Sequence, residues 1–322
     1  MKNLLLFMTD FYGYNDDIIS EIKSQGYDVT WFLDKIKVTQ LDRIYGKFNK
    51  KYIENKFDKY FEKCLEDVKE KNFDEILIIF GAAFIKERHI NLLREKFPKV
   101  PIVYYAWDSV DNFPNIEVLL KLADYSYTFD PRDSEKYNTN FLPLFYVKKD
   151  SANSKNEYDV STVMSFYVEK SGNLNMILNC LPEEISKNIY LRLRDKFYYY
   201  RLLLFKKKKI EKIKQYFKYD SLKREDVFEI FENSKAVLDC PLPKQRGLTM
   251  RTFEVLAMNH KLITTNENIK EYEFYSPDNI FVVNKETKEI PSDFFETEFN
   301  MQYSISDKYS LKNFVKTLTD VR

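Results

Sequence analysis

The stretch Ala236–Asn266, AVLDCPLPKQRGLTMRTFEVLAMNHKLITTN, decides the fold class. It opens with Ala236–Cys240, a short apolar run of the kind that predicts a buried strand. A loop with two prolines and a glycine follows, then a predicted helix over about Thr249–Met258 and a second apolar run at Lys261–Thr265. A strand, a loop, a helix and a second strand in this order are typical of α/β proteins with a parallel sheet.

The polar residues of this stretch concentrate in its loop and in the first turns of its helix. The predicted ligand-binding groups there are Gln245, Arg246, Gly247, Thr249, Arg251 and Thr252. Backbone N–H groups at a helix start favour anions, and an arginine beside them adds a bidentate phosphate clamp. Glu254 lies just beyond and can accept hydrogen bonds from both hydroxyls of a ribose. The pattern predicts a nucleotide-diphosphate ligand; the alternative is an ordinary helix on whose surface Glu254 and Arg251 pair.

A family resemblance appears in the same residues. Glu254–Ile263, EVLAMNHKLI, looks like the E-A-x-A-x-G-x-P-V-I segment of glycosyltransferases with the GT-B architecture. The wider strings QRGLTMRTFE, KLITTN and FYSPDNI resemble bacterial lipopolysaccharide and capsular polysaccharide biosynthesis proteins of that superfamily. The resemblance implies an α/β protein with two Rossmann-like domains facing a cleft. It also implies that Glu254 binds the donor ribose. The chemistry of the loop and helix start predicts that Arg251, Thr249 and Arg246 bind its diphosphate.

The sequence departs from the family pattern at three positions. The first glutamate of the family's E-x7-E motif falls on Arg246, and the usual glycine and proline are Asn259 and Lys261. These departures leave the donor sugar and the stereochemical outcome undetermined.

Composition and missing motifs exclude several classes of protein. The 322 residues carry 51 basic and 50 acidic side chains, a net charge of +1, which argues against a nucleic-acid binder. The three cysteines are far apart, and no apolar run approaches the length of a membrane span, so a cytoplasmic protein is expected. D-x-D, H-E-x-x-H, C-x-x-C, P-loop and G-x-S-x-G motifs are missing. We therefore expect no metal site and no cofactor beyond a nucleotide-sugar substrate.

The first half of the chain reads as a Rossmann-like domain. A β-α-β opening is predicted over Leu4–Met8, Asp16–Gln25 and Tyr27–Leu33. Further strands are predicted at Glu75–Phe80, Pro101–Trp107 and Asp124–Phe129, and further helices within Asn49–Lys71 and Ile85–Phe97. The opening lacks G-x-G-x-x-G, so a tightly held dinucleotide in this half is not expected.

Candidate acceptor-side residues follow two of these strands. The resemblance implies that the loop after the first strand, with Asp10 and Gly13, faces the cleft; the alternative is a plain turn. Trp107 and Asp108 lie where the fourth strand ends, the edge at which ligands bind open α/β sheets. Removing a proton from an acceptor hydroxyl needs a positioned base, so Asp108 is the catalytic candidate. Its alternative role is to cap the next helix.

The polar segment Lys148–Glu157 is the predicted linker between domains at 1–148 and 157–322. Tyr158–Ser165 restarts the pattern as the first strand of a second Rossmann-like unit. The related family has glycine where Ser165 falls; the loop from Ser165 to Gly172 would then face the donor phosphates, with Lys170 as a cation. The final helix, Ser310–Leu318, is implied by the resemblance to pack back on the first domain.

Tyr198–Phe205, YYYRLLLF, is followed by four consecutive lysines. One reading is peripheral contact with the inner membrane surface, because basic side chains attract anionic lipid while aromatic ones sit at the interface. The alternative is a core element beside a solvated lysine run.

Together these features predict a metal-independent glycosyltransferase. The resemblance implies a nucleotide-sugar donor and a surface-polysaccharide or lipopolysaccharide acceptor, either a glycan or a lipid-linked precursor. One rival is a nucleotide-sugar epimerase or hydrolase of the same fold. The other is a non-catalytic scaffold that binds nucleotide or glycan, which the arginine at position 246 makes conceivable.

Overall fold

The computed structural model describes residues 1–39, 41–42, 45–46, 49, 51–147 and 156–321. The chain forms two compact units. The first comprises Met1–Pro143 and the terminal segment that begins at Leu311, and the second comprises Leu144–Ser310. The chain therefore passes into the second unit at Leu144, ahead of the predicted boundary at 148. Most of the predicted linker, residues 148–155, lies outside the described residues.

The first unit is built on a six-stranded parallel sheet with strand order β2-β1-β3-β4-β5-β6. Every residue of β3 and β4 is buried, because continuous apolar runs suit strands covered on both faces. The strands are β1 (Lys2–Met8), β2 (Tyr27–Phe32), β3 (Glu75–Ile79), β4 (Ile102–Ala106), β5 (Tyr125–Thr128) and β6 (Asn140–Phe141). The helices of this part of the chain are α1 (Tyr14–Ser24), α2 (Tyr52–Asp67), α3 (Glu87–Lys96), α4 (Asn115–Leu122) and α5 (Pro131–Tyr137).

The second unit repeats this plan with strand order β12-β11-β10-β7-β8-β9, again all parallel. Its strands are β7 (Tyr158–Ser165), β8 (Lys187–Arg192), β9 (Phe217–Lys218), β10 (Ser234–Asp239), β11 (Lys261–Thr264) and β12 (Ile280–Val282). The remaining helices of the chain are α6 (Ser171–Cys180), α7 (Lys196–Ile210), α8 (Arg224–Glu232), α9 (Met250–Ala257), α10 (Asp293–Glu296) and α11 (Leu311–Thr319). The prediction of two Rossmann-like α/β units is confirmed.

The last helix, α11, belongs to the first unit although it follows the second in sequence. Phe314 packs edge-to-face on Tyr105 at a centroid distance of 4.8 Å. The Tyr27 hydroxyl donates to the Thr319 carbonyl at 2.7 Å. An apolar face and a buried hydrogen bond thus hold α11 against the sheet of the first unit. Nowhere in the described parts of the chain is a helix both long and apolar enough to cross a bilayer.

Candidate functional site

A buried carboxylate, Asp239, organises the start of α9. It ends strand β10, where it is 1% exposed. Thr249 caps α9 and donates its hydroxyl to Asp239 Oδ2 at 2.9 Å, and the Thr252 hydroxyl lies 3.4 Å from the same oxygen. Arg251 Nη1 donates to Asp239 Oδ1 at 2.7 Å. Three of the predicted donor-binding residues therefore meet at one acid that the sequence-based prediction did not select.

Arg251 bridges two strands of the second sheet. While Nη1 pairs with Asp239 on β10, Nη2 donates to the Val163 carbonyl of β7 at 2.6 Å. The side chain of Arg251 is 18% exposed, and Glu254 is buried. The alternative of a solvated surface pair between Arg251 and Glu254 therefore does not describe this helix. Seven of the eight residues of α9 are buried, Glu254 among them, and Arg251 is the one that is only partly buried.

Lys170 places a second cation beside Arg251. It directly precedes α6, and its carbonyl lies 3.8 Å from Sγ of Cys240, so the loop after β7 meets the end of β10. Burial lowers the pKa of Lys170, and the positive charge of Arg251 lowers it further. No carboxylate of the described residues lies within ion-pair distance of its ammonium. Arg251 thus pairs with Asp239, while Lys170 has no such ion pair among the described residues, and this second cation suits an anion.

The loop between β10 and α9 is tied to the neighbouring strand end. Asn266, just after β11, donates its amide to the carbonyls of Arg246 at 3.0 Å and Gly247 at 3.3 Å. Gln245 donates its side-chain amide to the Gly247 carbonyl at 3.0 Å, and Arg246 Nη1 lies 3.4 Å from Oδ1 of Asn268. Asn266 and Asn268 are positioning residues that sequence reasoning missed, since only the fold brings their turn beside this loop.

The C-terminal end of α9 explains one departure from the family pattern. Asn259, which stands where the family has glycine, has a left-handed backbone with φ 57°. Its N–H donates to the Leu256 carbonyl and the His260 N–H donates to the Val255 carbonyl, both at 3.1 Å. These are the two hydrogen bonds of a Schellman cap, in which glycine is favoured and asparagine tolerated. The helix therefore ends here in the manner that the glycine of the family would allow.

Ser165, the last residue of β7, is half-buried and pairs in register with Arg192 of β8. It lies at the strand end that leads into the Lys170 loop. Its backbone is not among the left-handed positions of the described chain, so serine there needs no unusual conformation.

In the first unit, the loop after β1 contains Gly13 at the start of α1. Its φ of 76° is left-handed, and its carbonyl accepts hydrogen bonds from the N–H groups of Asp16 and Asp17. This conformation favours glycine, because other residues have a Cβ that crowds the backbone there. Asp10 is exposed, and its carbonyl accepts from the Lys35 ammonium at 3.4 Å.

Asp108 follows β4, and its Oδ1 accepts hydrogen bonds from the Ser109 N–H at 2.8 Å and the Asn112 amide at 2.7 Å. Burial raises the pKa of this carboxyl, and the nearby Asp130 adds to the effect. The next helix, α4, begins only at Asn115 with Pro114 at its cap position, so the alternative capping role is wrong. Trp107 stacks at an angle on Tyr14 and packs against Phe314 of α11.

A carboxyl that the sequence-based prediction overlooked, Asp34, lies at the same edge of the first sheet. It follows β2 and is 2% exposed; its Oδ2 accepts from the Gly81 N–H at 2.9 Å. Its Oδ1 has no hydrogen-bond partner among the described residues. Burial raises the pKa of Asp34 from 3.8 to about 6. The rule that functional side chains follow parallel strands could have found it, because Asp34 comes directly after the run YDVTWFL.

We expect Asp34→Asn to stabilise the first unit above pH 6 and to change its stability little near pH 4. Between pH 4 and 6 the folded carboxyl holds its proton while the unfolded one has lost it, so stability falls as pH rises through that window. The pKa shift of Asp34 corresponds to a cost of up to about 3 kcal/mol for holding the ionised carboxylate in the folded state, and the neutral asparagine removes this cost. Urea unfolding followed by tryptophan fluorescence measures this, because both tryptophans, Trp31 and Trp107, are in the first unit.

Asp28→Asn, an exposed change on β2, is the matched control and should show no such pH dependence. An equal gain for Asp34→Asn at pH 4 and pH 8, or a loss at pH 8, would contradict the assignment of a costly buried charge.

Within the described parts of the chain, no three histidine, cysteine or acidic side chains are grouped so that they could hold a metal ion. The three cysteines are free and buried, and burial raises the pKa of Cys240 to about 12.

Comparison with known proteins gives matches at the level of structure. No family model matches the sequence, and no curated protein sequence matches it. HepE of Anabaena, solved with UDP and glucose, matches with a TM-score of 0.56 at 10% identity, over 99% of this chain and 95% of that one. A glycosyltransferase of Rickettsia africae matches with a TM-score of 0.56 at 11% identity, over 99% and 97%.

A UDP-GlcNAc 2-epimerase of Methanocaldococcus jannaschii, solved with UDP-GlcNAc and UDP, also matches. Its TM-score is 0.54 at 12% identity, over 99% of this chain and 100% of that one. Likeness at such low identity concerns the fold, and it extends over both units of this chain. The two six-stranded parallel sheets of this chain, with their flanking helices, match the two-domain α/β architecture of these proteins. The chain has the GT-B fold.

Proposed function

We propose that the protein is a glycosyltransferase that uses a nucleotide-activated sugar, with the donor diphosphate held at the carboxyl ends of β7 and β10. The observation that carries the proposal is the pair of cations, Lys170 and Arg251, near the carboxyl ends of β7 and β10, of which Arg251 alone forms an ion pair with Asp239 among the described residues. A partly buried surplus of positive charge is unfavourable by itself and becomes favourable when an anion binds. Two neighbours with the same fold were solved with UDP, which adds support.

Each candidate donor-binding residue of the second unit has a role in this proposal. Thr249 caps the Thr252 N–H, the remaining N–H groups of the first turn of α9 bind the diphosphate, and Arg251 and Lys170 supply charge. Glu254 binds the ribose hydroxyls. Arg246 contributes a further cation to the phosphates. The remaining contributors to the loop are Gln245, Gly247, Thr252 and Ser165.

The chemical step follows from charge. The bond between the sugar and the diphosphate breaks, and negative charge develops on the departing phosphate oxygen beside Arg251 and Lys170. Stabilisation of that charge by positioned cations is the main catalytic contribution that we propose. Asp108 accepts the proton of the acceptor hydroxyl as that oxygen attacks the sugar. Asp10, Gly13 and Trp107 line the acceptor side.

We propose that the reaction requires no divalent metal ion, because arginine, lysine and helix N–H groups can neutralise the diphosphate. Turnover in excess chelator should equal turnover with added Mg²⁺. The acceptor that we propose is a bacterial surface glycan, of the lipopolysaccharide or capsule class, on the cytoplasmic side. This part rests on the sequence resemblance alone.

Two alternatives have support of their own. The epimerase of the same fold favours a reaction on the donor alone, and such an enzyme would isomerise or hydrolyse the sugar nucleotide without an acceptor. The arginine at position 246, where the family has glutamate, favours a scaffold that binds nucleotide without turnover. Sugar-nucleotide consumption with and without acceptor separates all three.

We expect Lys170→Met to weaken nucleoside-diphosphate binding while leaving the unliganded protein equally stable or more stable. Burial and the charge of Arg251 lower the pKa of Lys170, which means that its charge destabilises the unliganded protein. The substitution removes this destabilisation, and it also removes a charged hydrogen bond to the ligand. Such a bond contributes about 1.5–3 kcal/mol, so the dissociation constant should rise about 10- to 150-fold. The measurement is a thermal-shift titration with uridine, adenosine, guanosine, cytidine and thymidine diphosphates.

For wild type, the preferred diphosphate at a hundred times its dissociation constant should stabilise the protein by about 2.7 kcal/mol. Lys218→Met, an exposed lysine on β9 of the same sheet, is the control and should bind like wild type. If no diphosphate shifts the melting temperature, or if Lys170→Met binds as tightly as wild type, the proposed donor site is wrong.

A further inference from the structure

Helix α7 has an apolar face that points away from its own unit. Four large apolar side chains on it are exposed: Phe197 by 74%, Tyr200 by 65%, Leu204 by 75% and Phe205 by 68%. They follow the i, i+3, i+7, i+8 spacing that puts residues on one side of a helix. The opposite side packs against the protein, since Leu202 and Ile210 are buried in the core of the second unit. This helix is therefore anchored on one side and apolar on the other.

The charge of the same helix is concentrated and of one sign. Its fifteen residues include Lys196, Arg201 and Lys206–Lys209, and not one acidic residue. The whole chain has a net charge of only +1, so six basic residues on one helix are a local excess. All four lysines of the run are exposed. The helical backbone is interrupted at Lys206, with φ −137° and ψ 22°, where the apolar face gives way to the lysine run.

We propose that this surface, Phe197–Lys209, docks on an anionic lipid bilayer. Apolar side chains that project from an exposed helix can insert at the boundary between headgroups and acyl chains, while adjacent lysines contact lipid phosphates. A protein partner with an apolar groove would match only the first feature. The row of four lysines, in a helix whose own fifteen residues include no acid, favours a dense anionic surface. The inference is independent of the nucleotide site, since it uses none of its residues.

The test is co-sedimentation of the full chain with vesicles of phosphatidylcholine alone and of phosphatidylcholine mixed with phosphatidylglycerol. Wild type should bind the mixed vesicles and not the neutral ones. Binding should disappear on going from 0.1 M to 1 M salt, as the screening length falls from about 10 Å to about 3 Å. Lys207→Gln with Lys208→Gln should weaken binding about 25-fold, at roughly fivefold for each cation removed. Phe197→Ser with Leu204→Ser should weaken it about tenfold or more.

Matched controls are available on the same unit. Lys285→Gln with Lys288→Gln removes two exposed lysines, and Met301→Ser removes an apolar side chain that is 59% exposed. Both controls should bind vesicles like wild type. Failure to bind mixed vesicles, equal binding to neutral ones, or equal losses in the controls would overturn the proposal. So would a dimer of wild type in sedimentation velocity that Phe197→Ser with Leu204→Ser converts to monomer, because the face would then join two copies of the chain.

Discussion

Asp239→Asn should lower the free energy of unfolding of the second unit by about 3 kcal/mol. The substitution keeps an oxygen for the hydroxyls of Thr249 and Thr252 but removes the charge that pairs with Arg251 at 2.7 Å. Breaking a buried ion pair costs about 3–5 kcal/mol because the remaining charge is left uncompensated. We take the lower end because Arg251 retains some exposure. Lys170 increases the cost, because the charge of Asp239 offsets part of the repulsion between Lys170 and Arg251.

Urea unfolding followed by circular dichroism measures this change. Tryptophan fluorescence reports the first unit alone, and a transition shifted in dichroism but not in fluorescence would assign the loss to the second unit. Adding Lys170→Met to Asp239→Asn should restore part of the stability, because one of the two uncompensated cations is removed. A loss no larger than that of Asp28→Asn would show that Asp239 does not organise the start of α9.

Asp108→Asn should lower kcat by about 10²- to 10⁴-fold, the contribution of a positioned general base, and leave nucleoside-diphosphate binding unchanged. The effect is expected on kcat and not on nucleotide binding because Asp108 is in the first unit and the donor-binding groups are in the second. Because burial raises the pKa of Asp108, wild-type activity should fall as pH drops through that raised value. The residual activity of the variant should lack this acid limb. The measurement is release of nucleoside diphosphate from the matching sugar nucleotide, with acceptor, across pH.

Asp111→Asn is the control for this experiment. Asp111 lies three positions further on the same segment, and its ion pair with Arg132 at 2.9 Å is on the surface, where such pairs contribute little. A variant of Asp108 that keeps both its rate and its pH profile would remove Asp108 from the mechanism. The base would then have to be sought among other carboxyls at strand ends of the first sheet, with Asp34 the first to test.

Local sequence was enough to predict most of the secondary structure. Apolar runs such as Leu4–Met8 and Tyr158–Ser165 lie within or match strands β1 and β7. The predicted helix at Thr249–Met258 is α9 together with its cap residues at both ends. Such features depend on neighbouring residues, so a single sequence contains them. The strand β9, only two residues long, gives no periodic signal and was not predicted.

The arrangement of side chains around Asp239 could not be predicted from the sequence. In sequence, Asp239 is merely the polar end of an apolar run, and its partners are more than nine positions away. Lys170 is farther still, and its charge acts on Arg251 only because β7 and β10 are adjacent strands. Asp34 was overlooked because its environment comes from Gly81 and the loop after β1. Burial and neighbouring charge, which decide what each acid or base can do, are properties of that packing.

The sequence by itself therefore determined the α/β character of both halves and the helix start with its phosphate-binding residue types. It also determined that an aromatic and apolar stretch precedes four lysines in what is now α7. Apolar periodicity and cap residues involve neighbours in sequence, so their effect does not depend on the tertiary structure. The tertiary structure alone decided that Asp239 pairs with Arg251, that Lys170 lies near this pair with no ion pair of its own among the described residues, and that Phe197 and Leu204 are exposed. The reason is that parallel sheets bring together residues that are far apart in sequence, and the charge and exposure of a side chain depend on those distant neighbours.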